Sequence, residues 1–375
     1  MGTKMPEPRL KILIMSVGSL LGQNLLDSLE TRRHLVQVMG VNSKPDNPRI
    51  FRCDQAFLLP ALGAADFESQ WLSLLQAQQP DLILPGRDDD VVFLARFREQ
   101  HPEFASLIPC GASGLAEICR DKYATYLWAQ EQELPFAHSF VYTRATPPSA
   151  LRDFVAQVSY PLIAKPRQGF GSQGVYLVMD DAALAQLLPL EDLLFQEYLE
   201  PRTDLSDYQQ LWQRGLPLFF QIPESTQYSA QTLIPPSGEL ADCLLGISTM
   251  VHGRCELFRP FADSELEQLL RRYARVFYAQ GWRGPLNLQC KRDRLGQWQV
   301  HEINLRMTGG TSARLCLGYD EIGTLMQHFY PRFNLPNQSH AAREAGTVYR
   351  VLMDQFVPER WVQDLARTGQ WQRSC

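Results

Sequence analysis

Apolar positions in the first third of the chain recur in two rhythms. Lys11–Ser16 (Lys-Ile-Leu-Ile-Met-Ser) is a short apolar run of the kind a buried strand makes; Gly18, Gly22 and an amphipathic stretch to Leu29 follow it. Val36–Asn42 predicts a second strand, Asp81–Pro85 a third and Leu107–Cys110 a further short one. Between them, Phe67–Gln79 and the stretch from Val91 to Phe97 repeat apolar residues at helical spacing. Strands alternating with helices predict a parallel, doubly wound sheet over about residues 10–115.

The rhythm then changes. Asp121–Gln132 predicts a helix that carries Lys122 and ends before Pro135. Pro147–Val158 predicts another, and Tyr160–Pro166 a strand with Lys165 near its end. The glycine loop Gly169-Phe-Gly-Ser-Gln-Gly174 comes next, then a strand at Val175–Met179, a helix at Ala182–Leu188 and a strand at Leu193–Leu199. Residues 201–226 read as an irregular insertion or flap. Strand character resumes at Tyr228–Leu233 and Glu239–Thr249, and Ser264–Gln280 is amphipathic. Near the end, Asp320–Phe329 and Val357–Arg367 predict helices and Thr347–Met353 a strand. Four parts are expected: 1–115, a Rossmann-like unit; 116–200, a lid with its connecting helix; 201–335, a unit holding a metal site; and 336–375, a strand and helix extension. The fold class is α/β, turning α+β in the C-terminal part.

One stretch organises the rest. Gly284-Pro-Leu-Asn-Leu-Gln-Cys290 and Val300-His-Glu-Ile-Asn-Leu-Arg306 both alternate with period two about a turn containing Gly296, which predicts an antiparallel hairpin. Asn287 and Gln289 share one face, and Glu302, Asn304 and Arg306 share another. Should the two faces coincide, a carboxylate and amide oxygens meet, a donor set that suits a hard cation. The bland alternative is an exposed polar face on an edge hairpin. Likewise the glycine loop beside Lys165 can converge backbone amides on phosphate oxygens, or be a structural glycine cluster.

Bulk properties remove several classes. The chain has 375 residues, 45% hydrophobic and 21% charged, which suits two or three globular domains. With a net charge of −5 and no basic run, nucleic-acid binding is disfavoured. None of the eight cysteines forms a C-x-x-C pair, so reduced thiols of a cytoplasmic protein are expected. The Leu10–Leu21 run is interrupted by Lys11, Ser16, Gly18 and Ser19, leaving no export or membrane signal. Gly18-Ser-Leu-Leu-Gly22 lacks the G-x-G-x-x-G spacing, which weakens a nicotinamide oxidoreductase reading, and neither a P-loop nor a protein-kinase signature occurs.

The order of these motifs, from Lys122 through Lys165, the glycine loop, Gln196-Glu-Tyr-Leu199 and Asn287-Leu-Gln289 to Glu302-Ile-Asn304-Leu-Arg306, resembles the ATP-grasp superfamily, specifically its carbamoyl-phosphate-synthase-like carboxylate–amine ligases, over about residues 10–335. The resemblance implies that Lys122 and Lys165 hold nucleotide phosphates and that Gly169, Gly171, Ser172 and Gly174 close over them. It implies adenine at Gln196, Glu197 and Leu199, magnesium (or manganese in its place) at Gln289, Glu302 and Asn304, and Arg306 steadying the transferring phosphate. The family often has an acid at the position of Gln289. The ribose-binding acid is displaced by the insertion, with Gln227 matching by context and Asp204 and Glu224 as alternatives; Arg254 is either a phosphate contact or a surface residue.

Substrate contacts are less defined. Arg87-Asp-Asp-Asp90 follows the Asp81–Pro85 strand at the edge where open α/β sheets place ligands, so Arg87 and Asp88 are candidates; the bland alternative is a helix N-terminus. Thr311, in the small-residue loop Thr308–Ser312, and Arg314 would flank an acyl-phosphate. The expected function is ATP-dependent activation of a small carboxylic acid, an amino acid in the first instance, and its coupling to an amine. Its partners would be small molecules rather than nucleic acid or membrane, and a homodimer is compatible with the sequence. The rival within the fold is a sensor or assembly protein that binds ATP without turnover.

Overall fold

The structure is a computed structural model that describes residues 9–169, 173–190, 193–199, 210, 226–251, 254–340, 346–351 and 353–373. Three sheets organise it.

The first is built from the alternating segments. β1 (Leu10–Ile14), β2 (Val36–Asn42), β3 (Gln55–Leu58) and β4 (Leu82–Leu84) run parallel. Ile12, Leu13 and Ile14 are fully buried because helices cover both faces, which is why the strand reads as a continuous apolar run. Leu107–Cys110 is not a strand. Helical turns at Pro102–Leu107 carry the chain past the β4 edge, where Ile108 and Cys110 bury as coil. The place on the far side is taken by β15 (Gln370–Gln372), antiparallel to β3, so the last residues of the chain complete the first sheet. With order β15-β3-β2-β1-β4, the direction of winding reverses between β1 and β4. A ligand crevice at the carboxyl ends of those strands follows from that topology.

The second sheet, β5 (Ser139–Val141), β6 (Leu162–Pro166), β7 (Tyr176–Val178) and β8 (Leu193–Glu197), is antiparallel in the order β5-β8-β6-β7. It has its own core, including Leu151, Phe154, Leu162 and Phe195. β6 and β8 are neighbours, with Ile163 opposite Gln196 and Lys165 opposite Leu194.

The third sheet is antiparallel in the order β13-β12-β9-β10-β11-β14: β9 is Thr226–Ile234, β10 Leu244–Val251, β11 Arg254–Pro260, β12 Gly284–Arg292, β13 Trp298–Asn304 and β14 Val348–Tyr349. The Ser264–Ala279 helix covers it with Leu266, Leu269, Leu270, Tyr273, Ala274 and Phe277, and Asp263 caps it by accepting from the Leu266 amide at 2.9 Å. The strand expected at Thr347–Met353 shrinks to Val348–Tyr349, which pair with Phe258 and Leu257 of β11, while the Arg350 amide donates to the Glu256 carbonyl just past the strand. Several elements were not expected from the sequence, among them β3, β5, β11, β15 and the Ser113–Arg120 helix that leads directly into Lys122–Glu131. Among the described residues no helix is long and apolar enough to cross a membrane.

Candidate active site

The hairpin forms, with its two polar faces coincident. Asn287 stands opposite Asn304 and Gln289 opposite Glu302. The turn is closed by Asp293, whose Oδ1 accepts from the Leu295 and Gln297 amides, while Gly296 takes a φ of 79°. Leu286, Leu288, Ile303 and Leu305 are buried in the main core, as alternation requires. Asn304 donates its amide to Asn287 Oδ1 at 3.4 Å, which leaves the Asn304 side-chain oxygen for another partner. Among the described residues, neither Gln289 nor Glu302 has a side-chain hydrogen bond or ion pair, and both are only half-buried.

These oxygens fit a hard divalent cation. The donors are one carboxylate and two amides, and no cluster of three His, Cys, Asp or Glu side chains occurs among the described residues. A cation here would therefore draw much of its ligand charge from phosphate oxygens, the mode magnesium favours.

The two lysines come to the same place from different directions. Lys122 begins its helix, whose N-cap Asp121 accepts from the Tyr123 and Ala124 amides and pairs with Arg167. Lys122 Nζ lies 3.4 Å from the Gly169 carbonyl oxygen. One pocket is lined by Asp88, Lys122, Thr125, Gly169, Glu302 and Asn304. Lys165 is buried on β6; its Nζ donates to Gln196 Oε1 at 2.7 Å and to the His301 carbonyl at 3.3 Å. Gln196 in turn donates to Ser139 Oγ at 2.9 Å. Burial brings Lys165 down to about 7, with the Glu302 carboxylate opposing that shift and Lys122 adding to it. Both lysines thus act electrostatically on one cleft together with Glu302.

Of the glycine loop, Gly169 and Gly174 flank its tip, and Gly174 takes a positive φ of 70°. Gly171 and Ser172 lie outside the described residues, as do Asp204 and Glu224. On β8, the Glu197 amide donates to the His138 carbonyl, and burial raises the Glu197 carboxyl. Leu199 is buried beyond the strand end.

Arg306 leaves β13 and turns towards the first sheet. Its Nε and Nη2 donate to the two carboxylate oxygens of Asp88, each at 2.7 Å. Burial works against the Asp88 charge, but Arg306 overcomes it and holds the carboxyl below its ordinary range. Asp88 is the first residue of the Asp88–Gln100 helix and Asp90, buried in the same first turn, accepts from the Ser16 hydroxyl and the Gly86 amide, so the cluster opens a helix. Arg87 is exposed; it makes no side-chain hydrogen bond or ion pair among the described residues, and its charge acts on the Asp90 carboxyl. Thr311 and Arg314 are buried instead: Glu321 accepts from both, and Arg314 also donates to Thr308 Oγ1 at 2.7 Å. That brace fixes the Thr308–Thr311 turn and satisfies the Arg314 charge internally.

Gln227 on β9 meets a residue that the sequence reading passed over. His301 Nε2 lies 3.2 Å from Gln227 Oε1. Burial holds the imidazole well below its ordinary range, helped by Lys165, Lys291 and Lys122. The only sequence signal for His301 was a polar residue at a position that alternation assigns to the core.

No protein-family model matches this sequence, and no curated protein matches it. Solved structures do match in shape. An N5-carboxyaminoimidazole synthetase from Staphylococcus aureus, complexed with ADP, superposes with a TM-score of 0.64 at 14% identity, covering 89% of this chain and 80% of that one. The biotin carboxylase domain of a Hydrogenobacter thermophilus 2-oxoglutarate carboxylase, in complex with MgADP and bicarbonate, gives 0.61 at 11%, covering 89% and 71%. An L-amino acid ligase from Bacillus licheniformis gives 0.58 at 15%, covering 86% and 75%. At such identities the likeness is one of fold.

Proposed function

Taking the ATP-grasp fold of this chain as the premise, we propose that the protein is an ATP-dependent ligase that activates a small carboxylic acid, an amino acid in the first instance, and joins it to an amine. The observation that carries the reading is the convergence of Lys122, Gly169, Glu302, Asn304 and Asp88 on one pocket, with Lys165 and Arg306 beside it.

A carboxylate is a poor electrophile at neutral pH. Its oxygen attacks the terminal phosphorus of ATP, ADP leaves, and the amine then displaces phosphate, losing a proton as the C–N bond forms. This sequence needs positioning and charge neutralisation more than a nucleophile on the protein. Lys122 and Lys165 hold phosphate oxygens, and the Gly169–Gly174 loop excludes water that would hydrolyse the acyl-phosphate. A divalent cation bound by Gln289, Glu302 and Asn304 would neutralise phosphate charge. Arg306, aimed by Asp88, meets the transferring phosphoryl group. Arg87 stands exposed at the carboxyl edge of β4, suited to the anionic group of a substrate.

The test is ADP release across amino acids, offered singly and in pairs, with Glu302→Ala as control. Turnover with at least one acid–amine pair, abolished in the variant, is the expected result. ATP binding with no ADP release from any pair would replace the ligase by a nucleotide sensor.

A further inference from the structure

Asp88, Asp89 and Asp90 open one helix, and each takes a different partner. Asp88 grips Arg306, and Asp90 accepts from the Ser16 hydroxyl and the Gly86 amide. Asp89 holds Arg120, whose Nε donates to Asp89 Oδ1 at 2.5 Å. Arg120 ends the Ser113–Arg120 helix, and Asp121, extended at φ −107° and ψ 115°, breaks the chain before Lys122 starts the next. That kink sends three successive side chains to three partners: Arg120 to Asp89, Asp121 to Arg167 and Lys122 to the Gly169 carbonyl.

Arg120 and Lys122 leave the kink on the same side. Both line the pocket that also holds Asp88, Glu302 and Asn304. The Arg120 side chain is 17% exposed. Burial opposes the Asp88 charge, and Arg306, then Arg120 and Lys122, hold that carboxyl below its ordinary range. Only one edge of the guanidinium is engaged. Nη1 and Nη2 make no hydrogen bond or ion pair among the described residues. Because the N–H donors of a guanidinium sit in one rigid fork, anchoring Nε aims the others.

The pocket has a need that this fork meets. In the ligase reading, Lys122, Lys165 and a divalent cation meet the phosphates of the nucleotide, and Arg306 meets the transferring phosphoryl group. No residue in that set holds the reacting carboxylate. Arg314, expected beside it, is paired internally with Glu321, and Arg87 does not line the pocket. Arg120 is the guanidinium that lines it with donors to spare.

We propose that Arg120, aimed by Asp89, binds the carboxylate of the acid substrate and keeps hold of one of its oxygens through both halves of the reaction. The proposal rests on the ligase reading and adds the substrate contact that it lacks. One carboxylate oxygen attacks the terminal phosphorus of ATP and ADP leaves; the other, hydrogen-bonded to an Arg120 Nη, becomes the acyl carbonyl. When the amine adds to the acyl carbon, the C=O electron pair moves onto that oxygen, and the guanidinium meets the charge as it develops. The C=O bond then re-forms, phosphate departs, and the nitrogen loses its proton to solvent. Asp89 is a positioning residue, acting only through Arg120.

The test offers each protein amino acid as the acid and hydroxylamine as the amine, which captures an acyl-phosphate as a hydroxamate. Wild type is expected to form hydroxamate and ADP with at least one acid. For that acid, Arg120→Gln should raise KM at least about tenfold, the size of one charge-assisted hydrogen bond, and lower kcat as well. Calorimetric ADP affinity should change less than about threefold. Asp89→Ala should raise the same KM, Asp89→Asn should restore most of it because its side-chain oxygen still accepts from Nε, and neither should add to Arg120→Gln. An unchanged KM in Arg120→Gln overturns the proposal. So does an equal loss of ADP affinity, which assigns Arg120 to the nucleotide; both outcomes leave the ligase reading intact. Absence of hydroxamate with every acid overturns both. Should Arg120→Gln not fold, Arg120→Lys, which keeps the charge and lacks the fork, decides by the same comparison of acid KM with ADP affinity.

Discussion

Asp88 and Arg306 stand 218 positions apart in sequence and form a two-pronged ion pair, with both contacts at 2.7 Å. The carboxylate belongs to the first sheet's helix layer and the guanidinium to the residue two past the strand that carries Glu302 and Asn304. The pair therefore ties the crevice end of the first sheet to the polar hairpin. A guanidinium held by two parallel hydrogen bonds has its plane fixed, which a single contact would not achieve.

Asp88→Asn keeps the shape and removes the charge. The expected result is a fall in kcat of tenfold or more with ADP affinity changed less than about threefold, because the arginine loses its aim and the nucleotide keeps its lysines. Arg306→Lys should lose at least as much. In the double variant the two losses should not add, since the aspartate acts only through the arginine. Additive losses in steady-state kinetics would give Asp88 a separate role as a substrate contact.

Lys165 gives a pH signature. Burial holds it at about 7, so at pH 8 most of the free protein carries it neutral. A triphosphate or diphosphate beside it favours the ammonium, so nucleotide binding should take up a proton there. Calorimetry of ADP binding at pH 8, in two buffers of different ionisation enthalpy, is expected to show uptake approaching one proton. At pH 6 this should fade, and in Lys165→Met it should be absent. Stability follows the same linkage. Between about 7 and the ordinary lysine range near ~10 the unfolded chain binds the extra proton, so folding stability rises with pH across that window. Lys165→Met should flatten the rise. Equal proton uptake in the variant would place the titrating group elsewhere.

Glu302 is the sole carboxylate among the expected metal ligands, and it has no hydrogen bond or ion pair among the described residues. Glu302→Gln should abolish turnover and remove the magnesium dependence of ADP affinity, while affinity in the presence of chelator stays near the wild-type value. Titrations with and without magnesium measure this directly. A variant whose ADP affinity still responds fully to magnesium would move the metal elsewhere.

What the sequence disclosed and what it hid follow from the range of the interactions. The hairpin was legible because period-two alternation is local and the turn around Gly296 brings the two arms together; that Asn287 stands opposite Asn304 and Gln289 opposite Glu302 depends further on a one-residue slip at His301. That slip was not legible, since Val300-His-Glu gives no local sign of it. β3 was missed because four residues with two buried side chains make too short a signal. Its partner β15 lies more than three hundred residues further on, beyond any local pattern. Asp88 and Arg306 were each picked out, but as a substrate contact and a phosphate contact; only folding puts one against the other. Arg314 was expected at the substrate, and Glu321, seven residues later, meets its charge internally.

The closing strand makes the last expectation. Trp371 on β15 packs edge-on to Phe51 with ring centroids 5.0 Å apart and lies 4.9 Å from the ring of Trp361, on the Glu359–Thr368 helix. Trp371 is only 9% exposed, so truncation leaves a large cavity that three elements would have to close. Trp371→Ala should lower unfolding free energy by about 3 kcal/mol, the low end for a buried aromatic because the site lies at a sheet edge. Urea denaturation measures it. Since among the described residues β15 pairs with β3 alone, at the edge of the first sheet farthest from β4, ADP affinity of the folded variant should match wild type. A stability loss under about 1 kcal/mol would mean that the terminal strand is dispensable to the first sheet. Weakened ADP binding in the folded variant would mean instead that the sheet transmits strain from its far edge to the crevice between β1 and β4.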